Sequence, residues 1–211
     1  MTYKLYGSPG TASFCVHWML IELGVPFEFI ALDFEKKEQK SEAYLKINPG
    51  GQVPALIVDG KAYCEAAALL MILAERHPER GFAPATGSPD RASYLQWMVT
   101  LANMVMPAFR LFYYAEEGAG PANVEATKAE AQKRVWAMWD RIDAVLADDR
   151  PYLLGEKMAA ADFLLTMLTR WSRNMTRTAL DWPHLKTYVE RLRAMPSYRE
   201  THSREGLTGW I

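Results

Sequence analysis

Apolar and polar positions change rhythm along this chain, and each rhythm predicts an element. Thr2-Tyr3-Lys4-Leu5-Tyr6 alternates as a half-buried strand does, and Gly7-Ser8-Pro9-Gly10 breaks it. From about Ala12 to Leu23 apolar residues lie nearly all round a helix, with Phe14-Cys15-Val16 and Trp18-Met19-Leu20-Ile21 among them. Such a helix is covered on more than one face, and Gly24 is its stop. Phe27 to Leu32 reads as a second strand, and residues 33–47 are charged and irregular with one short helix at Ser41–Ile47. Val53 to Val58 is a short apolar run. Asp59-Gly60 then supplies the two positive-φ positions of a two-residue hairpin turn, and Glu65 opens an apolar helix from Ala66 to His77. Strand, helix, strand, hairpin and helix imply a parallel βαβ unit joined to an antiparallel ββα unit, an α/β domain.

Beyond it, residues 78–90 hold three prolines and two glycines, the best linker in the chain, and everything after them reads helical. A long helix capped by Ser88 or Asp90 is expected to run to Glu117, with Pro107 kinking or breaking it. A second, capped by Asn123, is expected to reach about Ala147. In it Val135, Met138, Trp139, Ile142, Val145 and Leu146 recur at spacings that make one buried stripe. Further helices are expected at 160–174, 183–194 and 197–203. The predicted organisation is an α/β domain at 1–80, a linker at 81–90 and an all-α domain at 91–211.

Composition narrows the function classes. A chain of 211 residues that is half apolar is globular, and its net charge of −1 gives no reason to expect a nucleic-acid partner. Cys15 and Cys64 are too few for a disulfide framework and suit a reducing cytosol. No apolar run has membrane length, and no basic-then-apolar leader opens the chain, so a cytoplasmic protein without a membrane partner is expected.

Val53-Pro54-Ala55-Leu56, then a hairpin, then Glu65-Ala66 opening a helix, resembles the glutathione-binding half of cytosolic glutathione S-transferases, and the resemblance covers essentially the whole chain. Tyr152-Leu153-Leu154-Gly155 followed by Ala161-Asp162-Phe163 adds to it. The resemblance implies a thioredoxin-like N-terminal domain, an all-α C-terminal domain and a homodimer. It implies glutathione as co-substrate, with no metal. From its residues alone Pro54 is trans on an edge or cis at the start of the strand; the resemblance implies cis, with the Val53 backbone set against the cysteinyl part of glutathione. Many family members carry a Ser or Thr three residues before the Asp matched by Asp162, as half of a capping box; this chain has Ala159 there.

The chemistry implied by the resemblance requires a donor aimed at the glutathione sulfur near a helix N-terminus, because the thiolate is the nucleophile. The turn from Tyr6 to Ser13 is where it is expected, with Thr11 first, Ser13, Ser8 and Tyr6 as the other candidates, and a backbone N–H left open. Beta-class relatives carry a cysteine where this chain has Ala12. For the γ-glutamyl end Glu65 matches the family's acidic residue, while Ala66 stands where a serine would hold the carboxylate; this implies weak glutathione affinity. Gln52 and Lys40 are candidates for the glycyl carboxylate. The second substrate is expected against residues 97–114, with Met104, Pro107, Arg110 and Tyr114 lining it and Trp171, Arg173 and Trp210 near it. Cys15 and His17 read as buried structural residues. Cys64 reads as a small core residue or as a thiol that pairs with glutathione. The implied activity is glutathione conjugation to small apolar electrophiles. The rivals are a glutathione-dependent thiol-disulfide reductase or isomerase, and a non-catalytic ligand-binding or regulatory protein on the same fold.

Overall fold

The computed structural model describes residues 3–210. Packing divides them into two units, 3–83 together with 193–210, and 84–192. The first unit is built on a four-stranded sheet in the order β2-β1-β3-β4, with β1 (Tyr3–Gly7), β2 (Phe27–Ala31), β3 (Ala55–Val58) and β4 (Lys61–Cys64). β1 pairs parallel with β2 and antiparallel with β3, and β3 pairs antiparallel with β4. The connection between β3 and β4 has φ 49° at Asp59 and 82° at Gly60, the two positive values its sequence predicts. The Val53–Pro54 bond is cis, and β3 starts one residue beyond it, at Ala55, rather than at Val53.

Between β1 and β2 lies α1 (Ser13–Leu23), closed by Gly24 at φ 70°. Every residue from Ser13 to Leu20 is buried. The all-round apolar pattern is explained by three neighbours: β1, α3 (Ala66–Arg76) and α10 (Pro196–Arg204). That third neighbour shifts the division expected at the linker. α10 packs with the α/β unit, its Ser197 Oγ accepting from Trp18 Nε1 at 2.9 Å and its Tyr198 ring edge-on to Phe14 and Trp18. The short α2 (Glu42–Leu45) is capped by Ser41, whose Oγ accepts from the Tyr44 N–H.

The second unit holds α4 (Asp90–Thr100), α5 (Met106–Tyr113), α6 (Ala115–Ala119), α7 (Val124–Val145), α8 (Ala160–Trp171) and most of α9 (Pro183–Arg193). The single long helix expected up to Glu117 is interrupted. Leu101–Val105 is π-helical, with the Met106 N–H bonding back to the Leu101 carbonyl. Pro107, which has no N–H to give to the carbonyl four residues earlier, follows directly. Neither predicted cap forms: Pro89 sits at the start of α4 without a side-chain bond, and Asn123 turns its amide back to the Ala119 carbonyl. In α7 the predicted stripe is buried at Val135, Met138, Trp139, Ile142 and Leu146 and half-buried at Val145.

Ala159 starts α8 in extended conformation, and Asp162 supplies the other half of the capping box by accepting the Ala159 N–H at 2.7 Å. Ala159→Ser completes the box and is expected to raise stability by about 1 kcal/mol. Urea denaturation measures it, and an unchanged midpoint means that the new hydroxyl reaches no N–H.

Candidate functional site

The register of the sheet brings three chain segments to one end. Tyr6 pairs with Ala55 and Ala55 pairs with Cys64, so the turn after β1, the Val53–Pro54 bond before β3 and the Glu65-Ala66 step after β4 leave the sheet side by side. Each segment has a distinct local cause.

In the first segment β1 gives way to α1 through residues 8–12. Gly7 is required there for space: a Cβ would lie 2.6 Å from Ser13 Cβ and 2.8 Å from the Phe29 ring. The hydroxyls of Thr11 and Ser13 fold inward on Ser8. Thr11 donates to the Ser8 carbonyl at 2.7 Å, and the Thr11 and Ser13 oxygens are 3.0 Å apart. Ser13 donates to the same carbonyl and accepts the Ser8 N–H, both at 3.2 Å, with no exposed surface. These are the local side-chain bonds that Ser and Thr make in turns. They leave Ser13 buried and bonded within the turn, and they give the Thr11 proton to the Ser8 carbonyl. Tyr6 faces the other side of the sheet. β1 alternates, with Leu5 and Gly7 buried on one side, and Tyr6 packs on the opposite side against the Tyr44 ring, centroids 5.7 Å apart. What the turn does offer is the N–H of Ala12, which meets no protein acceptor among the described residues at the start of α1. Ser8, the fourth candidate, is buried and serves through its backbone.

The second segment, residues 48–54, is tied down from within. Tyr44 Oη and Asn48 Nδ2 both donate to the Gln52 carbonyl at 2.7 Å, and Asn48 Oδ1 accepts the Gly50 N–H. Lys40 Nζ reaches the Gly50 carbonyl at 3.3 Å. The Gln52 backbone is thereby fixed while its side chain is exposed, and the Val53 N–H and C=O make no hydrogen bond within the described chain. Tyr44, whose phenol burial pushes up to about 12, and Asn48 are support residues that the sequence reading passed over. The signal for Asn48 was present: an Asn before Pro-Gly-Gly is positioned for an Asx turn.

The third segment turns on Glu65, at φ 67° and ψ 107°. A non-glycine residue in this region costs about 1–3 kcal/mol, which its surroundings must impose. The Glu65 carboxylate is exposed and makes no hydrogen bond or ion pair among the described residues. Among the described residues no side chain caps α3, and the first intrahelical bond runs from Leu69 N to the Glu65 carbonyl at 2.9 Å. The N–H groups of Ala66, Ala67 and Ala68 are therefore open to an anion. Cys64, half-buried beside them, has its thiol pushed up first by burial and then by the Glu65 charge, opposite to what a nucleophilic thiol needs. Cys15 is fully buried, and burial pushes its thiol up much further.

In the second unit, Met104, Pro107, Arg110 and Tyr114 are all exposed: Met104 lies in the π-helical turn, Pro107 and Arg110 on α5, and Tyr114 just past its end. The Arg110 guanidinium lies 4.2 Å from the centre of the Tyr114 ring and pairs with Glu117. Behind them Tyr113 Oη donates to the Trp171 carbonyl at 2.6 Å. Among the described residues no cluster of His, Cys, Asp and Glu could hold a metal ion, and no helix is long and apolar enough to cross a membrane.

Comparison with known proteins decides the family. Residues 1–75 match the glutathione S-transferase N-terminal domain and residues 101–196 the glutathione S-transferase C-terminal domain. A sphingomonad glutathione S-transferase solved in complex with glutathione is 31% identical with a TM-score of 0.85, the match covering 97% of this chain and 100% of that one. The chain belongs to the glutathione S-transferase family.

Two relatives from Escherichia coli show the spread of names within it. Glutathione S-transferase GstA of strain O157:H7 is 26% identical, the match covering 97% of this chain and 99% of the relative. Disulfide-bond oxidoreductase YfcG of strain K12 is 25% identical over 92% of this chain and 91% of the relative. This glutathione S-transferase family member has Ala12, Ala66 and Ala159 where the resemblance leads one to expect a thiol or hydroxyl. Two of the three fall at helix starts on the sheet end just described, where backbone N–H groups remain open.

Proposed function

We propose that this chain binds glutathione at that end of the sheet and transfers its thiolate to small apolar electrophiles. The observation that carries the reading is the set of unused groups gathered there by the register: the Glu65 carboxylate, the first N–H groups of α3, the Val53 backbone and the Ala12 N–H. They match the ends of the tripeptide in order. Glu65 takes the γ-glutamyl ammonium, and the α3 N-terminus takes its carboxylate. The Val53 backbone pairs with the cysteinyl amide. Gln52 and Lys40 take the glycyl carboxylate. The Ala12 N–H, in place of a hydroxyl, favours the thiolate over the thiol. The thiol proton leaves to solvent, the sulfur lone pair forms a bond to the electrophilic carbon, and the leaving group departs with its electron pair. We carry Met104, Pro107, Arg110 and Tyr114 forward as the electrophile face, and a cytoplasmic homodimer as the working form.

Calorimetric titration with reduced glutathione tests the binding. Ala66→Ser restores a hydroxyl for the carboxylate and is expected to tighten binding by about tenfold, the effect of one charge-assisted hydrogen bond of about 1.5 kcal/mol. Absence of binding in both proteins overturns the reading. The internal bonds of Thr11 set a second expectation: Thr11→Val leaves turnover within about threefold, less than the ~1.4 kcal/mol that a tenfold change represents. A loss beyond tenfold in steady-state rate would return the sulfur to the Thr11 hydroxyl. A disulfide-reductase reading, favoured by the relative named for that activity, uses the same thiolate on a disulfide sulfur. Glutathione consumption with a small disulfide, set beside conjugate formation with an aryl halide, separates the two.

A further inference from the structure

We propose that the second unit carries a ligand site of its own, a cleft between the first turns of α4 and the end of α7 that takes a small arylalkylamine. The cleft measures about 480 Å³, within the span of roughly 300–1,000 Å³ that small-molecule sites occupy. It lies wholly within residues 84–192, and none of its lining residues is one assigned to glutathione or to the electrophile face. Its two walls differ in kind. Asp90, Ser93 and Trp97 come from α4 at spacings of three and four residues, so they share one helical face. Ala144 and Val145 of α7, with the buried Leu153 from the loop beyond it, supply the apolar wall. The α4 wall is polar and unused. The Asp90 carboxylate, the Ser93 hydroxyl and the Trp97 indole N–H make no hydrogen bond or ion pair among the described residues.

Charge decides the class of ligand. Asp148 and Arg150 also line the cleft, but they cancel each other. Arg150 donates to the two Asp148 oxygens, from Nε at 2.8 Å and from Nη2 at 2.6 Å, and these bonds hold the Asp148 carboxyl down at about 2. The one lining charge left unpaired is that of Asp90, at the start of α4. The other end of the cleft has the opposite sign. There the Arg141 guanidinium lies over the Trp97 ring, 5.1 Å from its centre. Asp90 and Trp97 are seven residues apart, about 10 Å along the helix axis. A ligand that matches has an ammonium for Asp90, a ring for the apolar wall and an oxygen acceptor for the Trp97 N–H. An anion meets the unpaired carboxylate, and a polyamine brings a second cation against Arg141; both are disfavoured.

Tyramine carries all three features and serves as the probe. Two close analogues divide its binding into parts: phenethylamine lacks the hydroxyl, and 3-(4-hydroxyphenyl)propionate has a carboxylate in place of the ammonium. By calorimetry the full chain is expected to bind tyramine with a dissociation constant below about 1 mM. Phenethylamine is expected to bind about threefold more weakly and the propionate at least about tenfold more weakly. Asp90→Asn weakens tyramine binding about fivefold, as befits a partner exposed to solvent. Ala144→Phe, at an exposed position of α7, puts a ring into the cleft and removes binding, with a thermal melt to show that the variant is folded. Saturating glutathione leaves the tyramine affinity unchanged. If Asp90→Asn does not fold, the amine set against the propionate in the wild type still reads the charge, and Ala144→Phe still reads the place. Equal affinity for amine and acid would make the cleft an apolar trap and overturn the ligand class. Binding that survives Ala144→Phe, or that glutathione displaces, would put tyramine elsewhere and overturn the site. No heat with tyramine up to about 10 mM would do the same.

Discussion

Glu65→Ala lowers glutathione affinity by about a hundredfold and leaves the fold intact. The magnitude follows from the partner assigned to Glu65: a carboxylate accepting from an ammonium is worth about 1.5–3 kcal/mol, so one to two decades in the dissociation constant. In this chain the upper part of that range applies. Ala66 contributes no hydroxyl to the γ-glutamyl end, and the remaining groups there are backbone N–H donors, which do nothing for the ammonium. The fold survives because the Glu65 side chain is exposed and bonds to nothing within the described chain, while its carbonyl, which accepts from Leu69, is kept in alanine. Calorimetry and a thermal melt measure both halves. Glu65→Gln, which keeps an acceptor and loses the charge, should fall between the two. Affinity within threefold of wild type in Glu65→Ala would move the γ-glutamyl end away from the β4–α3 junction.

Asp162→Ala has the largest expected effect on stability, about 3 kcal/mol at pH 7. The Asp162 carboxylate accepts from Leu153 N at 2.8 Å, Ala159 N at 2.7 Å and Tyr188 Oη at 2.7 Å, and both Asp162 and Tyr188 are buried. Each orphaned donor costs about 1–3 kcal/mol, offset in part by removal of a buried charge. The offset makes the cost depend on pH. Burial raises Asp162 to about 6 against its three hydrogen bonds, so the folded chain holds the proton more tightly than the unfolded one. A group raised in this way contributes most below its unfolded value, about 3.9, and loses that contribution as pH rises to about 6. The alanine variant has nothing to titrate there. The gap between the two proteins in urea denaturation should therefore widen as pH is lowered from 7 to 4. A gap that narrows would mean that the three hydrogen bonds outweigh burial and that Asp162 ionises low.

Local sequence carried much of the architecture. Asp59-Gly60 announced its turn because few residue pairs accept two positive φ values, and the α7 stripe announced a buried face because the spacing of its apolar residues leaves no other arrangement. The resemblance carried the cis bond at Pro54. What stayed hidden depends on partners distant in sequence or on how a turn closes. Thr11 and Ser13 are a donor pair on paper, and only the closed turn shows both oxygens gathered on Ser8. Tyr6 was placed near the turn by its number, although alternation along β1 sets it on the face of Tyr44. α10 read as one more helix of the all-α domain because nothing local marks Ser197 or Glu205 as partners of Trp18, His17 and Gly10. Pro107 signalled a break, but not that the preceding turn would widen into π geometry.

Gly7 makes a different kind of statement about this protein. A scan of all substitutions there should tolerate almost none, since even one methyl group meets Ser13 and Phe29. The residue touches no ligand in the proposed site. At Gly24, where φ is 70° but nothing lies within 4 Å of an added Cβ, Asn should be accepted at a cost near 1 kcal/mol. Two glycines that look alike in sequence would thus score very differently in such a scan, and intolerance at position 7 would measure crowding beside the site rather than a part in its chemistry.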